Sequence, residues 1–159
     1  MAMNDWAALA RALHVAAIVH WIGGLMFVTF VVLPMLGDRP PADRAAGFAA
    51  VERRFAGQAR ISVALAGVTG FYLLHALDLW SAIKDPQMWR LAAMLALWTL
   101  FAVMLFIAEP LFLHGWFDRR AAVDPLGAHA LLTRMHRILT TFALVTIIGT
   151  VAGAHGFSF

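Results

Sequence analysis

Histidine is the residue type through which this sequence is best equipped for chemistry. The chain has seven histidines and no cysteine, so imidazole is its strongest side-chain ligand for a metal. His14 and His75 lie in two successive apolar runs, roughly 12 Å and 8 Å in from the tryptophans at the ends of those runs, at about 1.5 Å per helical residue. Two facing imidazoles at similar depth can supply both axial ligands of a b-type haem. We therefore predict a haem site between His14 and His75.

Copper is the alternative ligand for the same histidines. Imidazole nitrogen binds copper, and the thioethers of methionines in the spans favour Cu(I). His20 follows His14 by six residues, which places it about 240° around a helix, so the two side chains do not share a face. His20 could instead serve a second neighbouring helix, a haem propionate or a proton path. As a copper protein, the chain would use His14, His20 and His75 as its imidazole ligands.

Two arginines are candidates to bind the haem propionates. Arg11 and Arg90 lie at the same end of the bundle as the two predicted axial ligands. A guanidinium group pairs with a carboxylate through two hydrogen bonds, so either arginine suits a propionate. The alternative is that each aliphatic stem crosses apolar surface while its charge reaches the lipid headgroups.

Glu109 and His136 fall at similar depth toward the opposite end of the bundle. An ionisable residue inside a membrane span is a candidate for function, and a glutamate–histidine pair can relay a proton or fix a substrate. The alternative is an ion pair near the lipid headgroups. Pro110 follows Glu109 directly and removes a helical hydrogen bond, so we also predict a kink at this point.

The composition defines the elements that must position these side chains. The chain is 62% hydrophobic and 13% charged, whereas soluble domains average about 45–50% apolar and about 25% charged residues. This excludes an ordinary soluble domain and a nucleic-acid-binding module. A membrane-spanning helix needs about 20 apolar residues, and four runs qualify: 6–36, 61–80, 88–114 and 131–154. The prediction is an all-α membrane protein, a single transmembrane domain over residues 1–159 that forms an antiparallel four-helix bundle.

The connection between the first two spans has a helical pattern of its own. Residues 42–58 place Phe48, Val51 and Phe55 on one side, with most of the charged residues elsewhere. This pattern is typical of a short helix that lies in the membrane interface. A solvated loop is the alternative.

The cations predict an orientation in the membrane. Most of the twelve Lys and Arg residues lie in the first and third loops or at the adjoining span ends, and cytoplasmic loops are enriched in these residues. We therefore predict a multi-pass protein of a bacterial-type inner membrane with both termini outside. Its expected environment is the lipid bilayer, and candidate partners are a membrane quinone, a redox protein and a second copy of the chain. Gly149 and Gly153 would allow close helix packing, either within the chain or between two copies.

Three short stretches resemble known membrane families. In residues 13–25, LHVAAIVHWIGGL, a tryptophan follows His14 by seven residues and two glycines come shortly after it. This stretch resembles the first span of the CopD-like copper-resistance family and of the HemJ-type protoporphyrinogen oxidases. Residues 51–55, VERRF, are similar to the Glu-Arg-Arg segment of the HemJ type, and residues 67–74, GVTGFYLL, are similar to the second span of both groups.

The resemblance implies a four-helix membrane protein with a metal-linked role. On the HemJ side it implies haem binding with His14 as a ligand, and on the CopD side it implies copper handling in the inner membrane. The HemJ type carries a lysine in its third span that is tied to its activity, and span three here has none. The expected function is therefore electron transfer or haem-linked redox chemistry rather than protoporphyrinogen oxidation, with copper transport or tolerance as the alternative.

Overall fold

The computed structural model describes residues 3–157, with side chains from Asp5 onward. Within this range the α-helices are α1 (Met3–Phe27), α2 (Leu33–Gly37), α3 (Pro41–Ala76), α4 (Trp89–Val103), α5 (His114–Val123) and α6 (Pro125–Ala154). The π-helical stretches Val28–Val32 and Met104–Leu113 join α1 to α2 and α4 to α5, and two short 3-10 helices, Ser81–Lys84 and Pro86–Met88, precede α4.

These elements form four continuous helical segments that are long and apolar enough to span a membrane. They are segment 1 (Asp5–Gly37), segment 2 (Pro41–Ala76), segment 3 (Pro86–Val123) and segment 4 (Pro125–Ala154). The predicted all-α four-helix membrane bundle is thereby confirmed, and residues 3–157 contain no strand. The segments are longer than the predicted spans at several ends, because apolar runs mark the lipid layer and not the limits of the helix.

The helix predicted over residues 42–58 is present, but it is not a separate interfacial element. It is the first half of α3, which continues without a break to Ala76. Pro41 starts α3 at a position where its missing N–H group leaves no helical bond unmade, and no proline follows within α3. At about 1.5 Å per residue α3 is about 54 Å long, more than the roughly 30 Å of the hydrocarbon layer. The length of α3 therefore exceeds the thickness of that layer, and the amphipathic half is continuous with the second span.

Neighbouring segments pack antiparallel. Along segments 1 and 2, His14 contacts Thr69 and His20 contacts Ser62, so residue numbers rise along one helix as they fall along the other. The bundle consequently has two different ends. We call the end with Arg39, Arg44, Arg119 and Arg120 the arginine-rich end, and the end with the start of α1 and the end of α6 the terminal end.

The buried core joins all four segments. Its members are Trp21, Ile22, Leu25, Val63, Leu97, Phe101 and Ala143. The Trp21 and Phe101 rings meet edge-on with centroids 4.8 Å apart. Other large apolar side chains point away from this core, among them Ile61 and Leu111, which are 71% and 73% exposed. Helices that are apolar on both the inside and the outside of a bundle are typical of membrane spans.

Glycines let bulky side chains of the same chain approach the helix backbones. A Cβ atom on Gly67 would lie 2.6 Å from Trp98 Cζ2, and one on Gly149 would lie 2.8 Å from Trp89 Cη2. The Arg90 guanidinium lies against Gly153 in the same manner. The small residues on segment 4 therefore serve packing within the chain.

The two π-helical stretches both occur at prolines. In a π-helix each carbonyl accepts from the N–H group five residues later, and proline has no N–H group. In the first stretch the residue five positions after Thr29 is Pro34, so the Thr29 carbonyl has no π-helical donor. In the second stretch the residue five positions after Leu105 is Pro110, so the Leu105 carbonyl has none either. The disruption predicted at Pro110 thus takes the form of a ten-residue π-helical stretch.

Candidate functional site

A chamber of about 190 Å³ lies among the four segments, in the half of the bundle toward the arginine-rich end. Six aromatic residues line it, namely Trp21, Phe48, Phe55, Phe101, Trp116 and Phe117. Its ionisable lining residues are Glu52, Glu109, Asp118, His114 and His136. A mostly apolar cavity with a few convergent polar groups is the usual form of a ligand site.

Glu109 is a buried carboxylate that Arg60 holds in the chamber wall. Glu109 is 7% exposed, and its Oε1 accepts a 2.9 Å hydrogen bond from Arg60 Nη2. Arg60 Nε donates to the carbonyl oxygen of Leu105 at 3.1 Å, which is the oxygen that Pro110 deprives of its π-helical donor. One guanidinium thus satisfies an orphaned backbone acceptor and a carboxylate that is costly to bury alone.

Glu52 and His114 complete a cluster with Glu109. One carboxylate oxygen from each glutamate and one ring nitrogen of the histidine all lie within 4.8 Å of one another, and His114 Nε2 is 3.4 Å from Glu52 Oε2. The Glu109 side chain is 9% exposed, that of Glu52 27% and that of His114 49%. We call these three residues the carboxylate–histidine cluster. It is open on one side and anchored in the bundle interior on the other.

The π-helical winding brings Glu109 and His114 to the same side of segment 3. In an α-helix two residues five apart are about 140° apart around the axis. In a π-helix, where hydrogen bonds run from i to i+5, such residues lie nearly one above the other. Glu109 lies within the π-helical stretch and His114 directly follows it. The cluster is therefore a product of the irregular winding that surrounds Pro110.

The two residues of the predicted proton relay share the chamber but have different partners. His136 Nδ1 donates to the Leu132 carbonyl at 3.0 Å, and its ring meets Phe48 edge-on with centroids 5.8 Å apart. Glu109 is bound by Arg60. Within the described residues no hydrogen bond joins Glu109 to His136 directly.

His14 packs against α3, and His75 lies on another face of that helix. His14 Nδ1 is 2.9 Å from the Ala66 carbonyl oxygen and 3.0 Å from Thr69 Oγ1. Because a carbonyl oxygen only accepts, Nδ1 carries a proton, and in the neutral ring Nε2 keeps its lone pair. His75 is nine residues beyond Ala66, about 180° around α3, and it is exposed. The structure therefore does not bring the two histidines together as a facing pair, since matched depth does not determine helix rotation.

The remaining predicted ligand residues are dispersed. The Nδ1 atom of His20 lies 2.8 Å from Ser62 Oγ, and this contact fixes the ring against α3. Arg90 packs on Gly153, between segments 3 and 4. Arg11 is exposed on α1. None of these three residues lines the chamber, although the His20 ring lies beside the chamber residue Phe55, with centroids 6.1 Å apart.

Glu52, Arg60 and His114 belong to the site, although none of them is predicted as a site residue from the sequence; Glu52 lies in the segment that resembles the HemJ type. Glu52 and Arg60 fall among the charged residues of the first connection, and His114 falls at the end of an apolar run. The signal that could identify them is the dipeptide Glu109-Pro110, which combines a buried charge with a missing backbone donor. The buried charge requires a cation nearby, and the missing backbone donor requires an altered helical winding.

The fold and the cluster define the class of this protein, a multi-pass helical membrane protein with carboxylate and imidazole groups inside its bundle. The chain belongs to the family described as Domain of unknown function (DUF4149), which matches residues 16–121. The matched range begins after His14 and contains the whole carboxylate–histidine cluster. No curated protein and no solved structure matches the chain significantly.

Proposed function

We propose that this protein binds a divalent transition-metal ion in its membrane bundle through Glu52, Glu109 and His114. The observation that supports this function is the convergence of two carboxylate oxygens and one imidazole nitrogen within 4.8 Å. Metal–ligand distances to nitrogen and oxygen are about 2.0–2.2 Å for zinc. Small side-chain rotations are therefore enough to close the three ligands around one ion.

The charges of the cluster favour a cation. Glu52 and Glu109 contribute a charge of −2, of which Arg60 balances one, and the net negative charge that remains attracts a metal ion. Arg60 occupies one oxygen of Glu109 and leaves the other for the ion. Carboxylate and imidazole ligands suit Zn²⁺, Mn²⁺, Fe²⁺ or Cu²⁺, whereas Cu⁺ prefers sulfur. The copper alternative thus becomes copper(II) at this cluster.

The distribution of arginines supports a cytoplasmic position for the arginine-rich end. In that orientation both termini lie outside a bacterial-type inner membrane, and the cluster lies in the cytoplasmic half. An ion bound there exchanges more readily with the cytoplasm than with the outside. We infer a role in metal handling at the cytoplasmic face of the membrane.

Titration with Co²⁺, whose visible absorption reports its ligands, tests this function on purified protein in phosphatidylcholine nanodiscs. We expect saturable binding of one ion per chain. The variants His114→Ala and Glu109→Gln should each bind about tenfold or more weakly. The matched control His155→Ala removes an exposed histidine at the terminal end and should bind as the wild type does. Equal affinity in the wild type and the His114→Ala variant would overturn the proposal.

A b-type haem on His14 is the second candidate. It is favoured by the hydrogen bond from Nδ1 to the Ala66 carbonyl, because this bond orients the ring and leaves Nε2 free as a ligand. A haem there would supply electron transfer, with a membrane quinone or a redox protein as partner. A dithionite-reduced absorption spectrum tests this candidate. His14→Ala should abolish the haem bands and His75→Ala should retain them, whereas a colourless protein expressed with sufficient haem overturns the candidate.

A further inference from the structure

The chamber beside the cluster is lined by carboxylates and aromatic rings, which suit an organic cation as well as a metal ion. Three carboxylates line it, Glu52, Glu109 and Asp118, and among the described residues no lysine or arginine does. Arg60 pairs with Glu109 and His114 lies 3.4 Å from Glu52, so an excess of carboxylate groups remains at the chamber. We propose that the chamber binds a single-ring organic cation, such as a benzyl-type ammonium, with its charge beside Glu52 and its ring among the aromatic side chains.

The volume of the chamber sets the size of this ligand. The cavity measures about 190 Å³, and an apolar cavity of about 150 Å³ in another protein accommodates benzene. One ring with a short substituent therefore fills the chamber.

Aromatic rings flank the carboxylate of Glu52 along α3. Phe48, Glu52 and Phe55 follow one another at i, i+4 and i+7, which places them on one face of the helix. The centroid of Phe117 lies 6.3 Å from that of Phe48, so a further ring adjoins this face from segment 3. Aromatic faces attract cations, and more strongly where water is excluded. A carboxylate between aromatic rings is a combination that favours an apolar cation over a neutral or anionic molecule of the same shape.

The organic cation and the metal ion share Glu52, so they compete for the chamber. The organic cation needs no imidazole nitrogen, whereas the metal site needs His114. The inference therefore does not rest on the proposed metal function. Each of the two ligands can be tested with its own probe on the same preparation.

Three probes of one shape test the inference: benzyltrimethylammonium, benzyl alcohol and benzoate. Equilibrium dialysis against the full-length protein in phosphatidylcholine nanodiscs measures their binding, with empty nanodiscs as the blank for lipid partitioning. We expect saturable binding of the cation, about tenfold tighter than that of the alcohol, and no saturable binding of benzoate. Glu52→Gln should remove this preference, since it keeps the shape of the side chain and removes its charge. Asp43→Asn, an exposed carboxylate on the same helix, should keep the preference.

In the comparison of the three probes, two results would overturn the inference. One is benzyl alcohol or benzoate binding as tightly as the cation to the wild type, which would make the chamber a site for neutral or anionic molecules. The other is an unchanged preference in a Glu52→Gln variant that elutes as the wild type does on gel filtration. Binding of the cation without binding of Co²⁺ supports this inference and overturns the metal function. Binding of Co²⁺ without binding of the organic cation supports the metal function and overturns this inference. Displacement of the organic cation by Co²⁺ supports both proposals.

Discussion

The guanidinium of Arg60 donates from Nε to the Leu105 carbonyl oxygen at 3.1 Å, and this bond joins segments 2 and 3 where Pro110 removes the helical donor. The same guanidinium binds Glu109 at 2.9 Å. A side chain of segment 2 therefore supplies the hydrogen bond that a backbone carbonyl of segment 3 lacks. Because that side chain also holds the buried carboxylate, the position of Glu109 in the chamber depends on the irregular winding of segment 3.

Replacement of Arg60 by alanine should lower the free energy of unfolding by about 2–4 kcal/mol, since it leaves a buried carboxylate and a backbone acceptor unpaired. The Arg60 side chain is itself 37% exposed, which keeps the loss below that of a fully buried pair. Arg60→Lys should recover only part of it, because an ammonium lacks the rigid fork of donors. Thermal unfolding in a single detergent measures these differences.

Two further variants test the cause of that loss. Glu109→Gln in the Arg60→Ala background should recover stability, because a neutral amide is cheaper to bury than a charge. Arg53→Ala removes an exposed arginine of the same helix and should change stability by less than about 0.5 kcal/mol. An Arg60→Ala variant as stable as the wild type would contradict the assigned role.

Replacement of Pro110 by alanine should weaken Co²⁺ binding by about tenfold or more. Alanine restores the missing N–H group, and proline is about 3 kcal/mol less favourable than alanine in a helix interior. Segment 3 can then return to α-helical winding, which turns Glu109 and His114 about 140° apart. Pro34→Ala is the matched control, since it alters the other π-helical stretch and should leave Co²⁺ affinity unchanged. A Pro110→Ala variant that binds Co²⁺ as tightly as the wild type would show that the cluster does not depend on the π-helical winding.

The four spans could be predicted from the sequence because hydropathy over about 20 residues and proline breaks are local properties. The rotation of each helix is not local. The face of α3 that meets His14 is set by close packing such as that of Trp98 on Gly67, and depth along the helix contains no information about it. Glu109 could be singled out as a charge inside a span, but the approach of His114 to Glu109 depends on the π-helical winding and could not be predicted. A spacing of five residues does not indicate one face under α-helical geometry.

The Thr29 and Thr140 hydroxyls should differ in their contributions to stability. Their oxygens lie 2.7 Å apart in the core, and Thr29 also donates to the Leu25 carbonyl at 2.7 Å, so Thr140 is the donor between them. Thr29→Val should cost about 1–3 kcal/mol because it leaves a buried donor without its acceptor. Thr140→Val should cost less, since Thr29 keeps its bond to Leu25.

The double variant Thr29→Val with Thr140→Val should be less destabilised than the sum of the two single variants, because residues that share one hydrogen bond are not additive. Thermal unfolding of the four proteins gives the coupling energy. Additive losses would show that the hydrogen bond between segments 1 and 4 contributes nothing beyond the separate side chains.

Alanine at Gly67 and at Gly57 should change stability in opposite directions, although both glycines lie within α3. A methyl group at Gly67 would lie 2.6 Å from Trp98 Cζ2, so the indole must move and weaken its 2.9 Å bond from Nε1 to the Val63 carbonyl. Overpacking of this kind costs about 1–3 kcal/mol. At Gly57 nothing lies within 4 Å of the added carbon, and alanine is favoured over glycine by about 0.8–1.0 kcal/mol in a helix. Thermal unfolding should therefore show a lower melting temperature for Gly67→Ala and a higher one for Gly57→Ala, and equal shifts would contradict the close approach of Trp98 to α3.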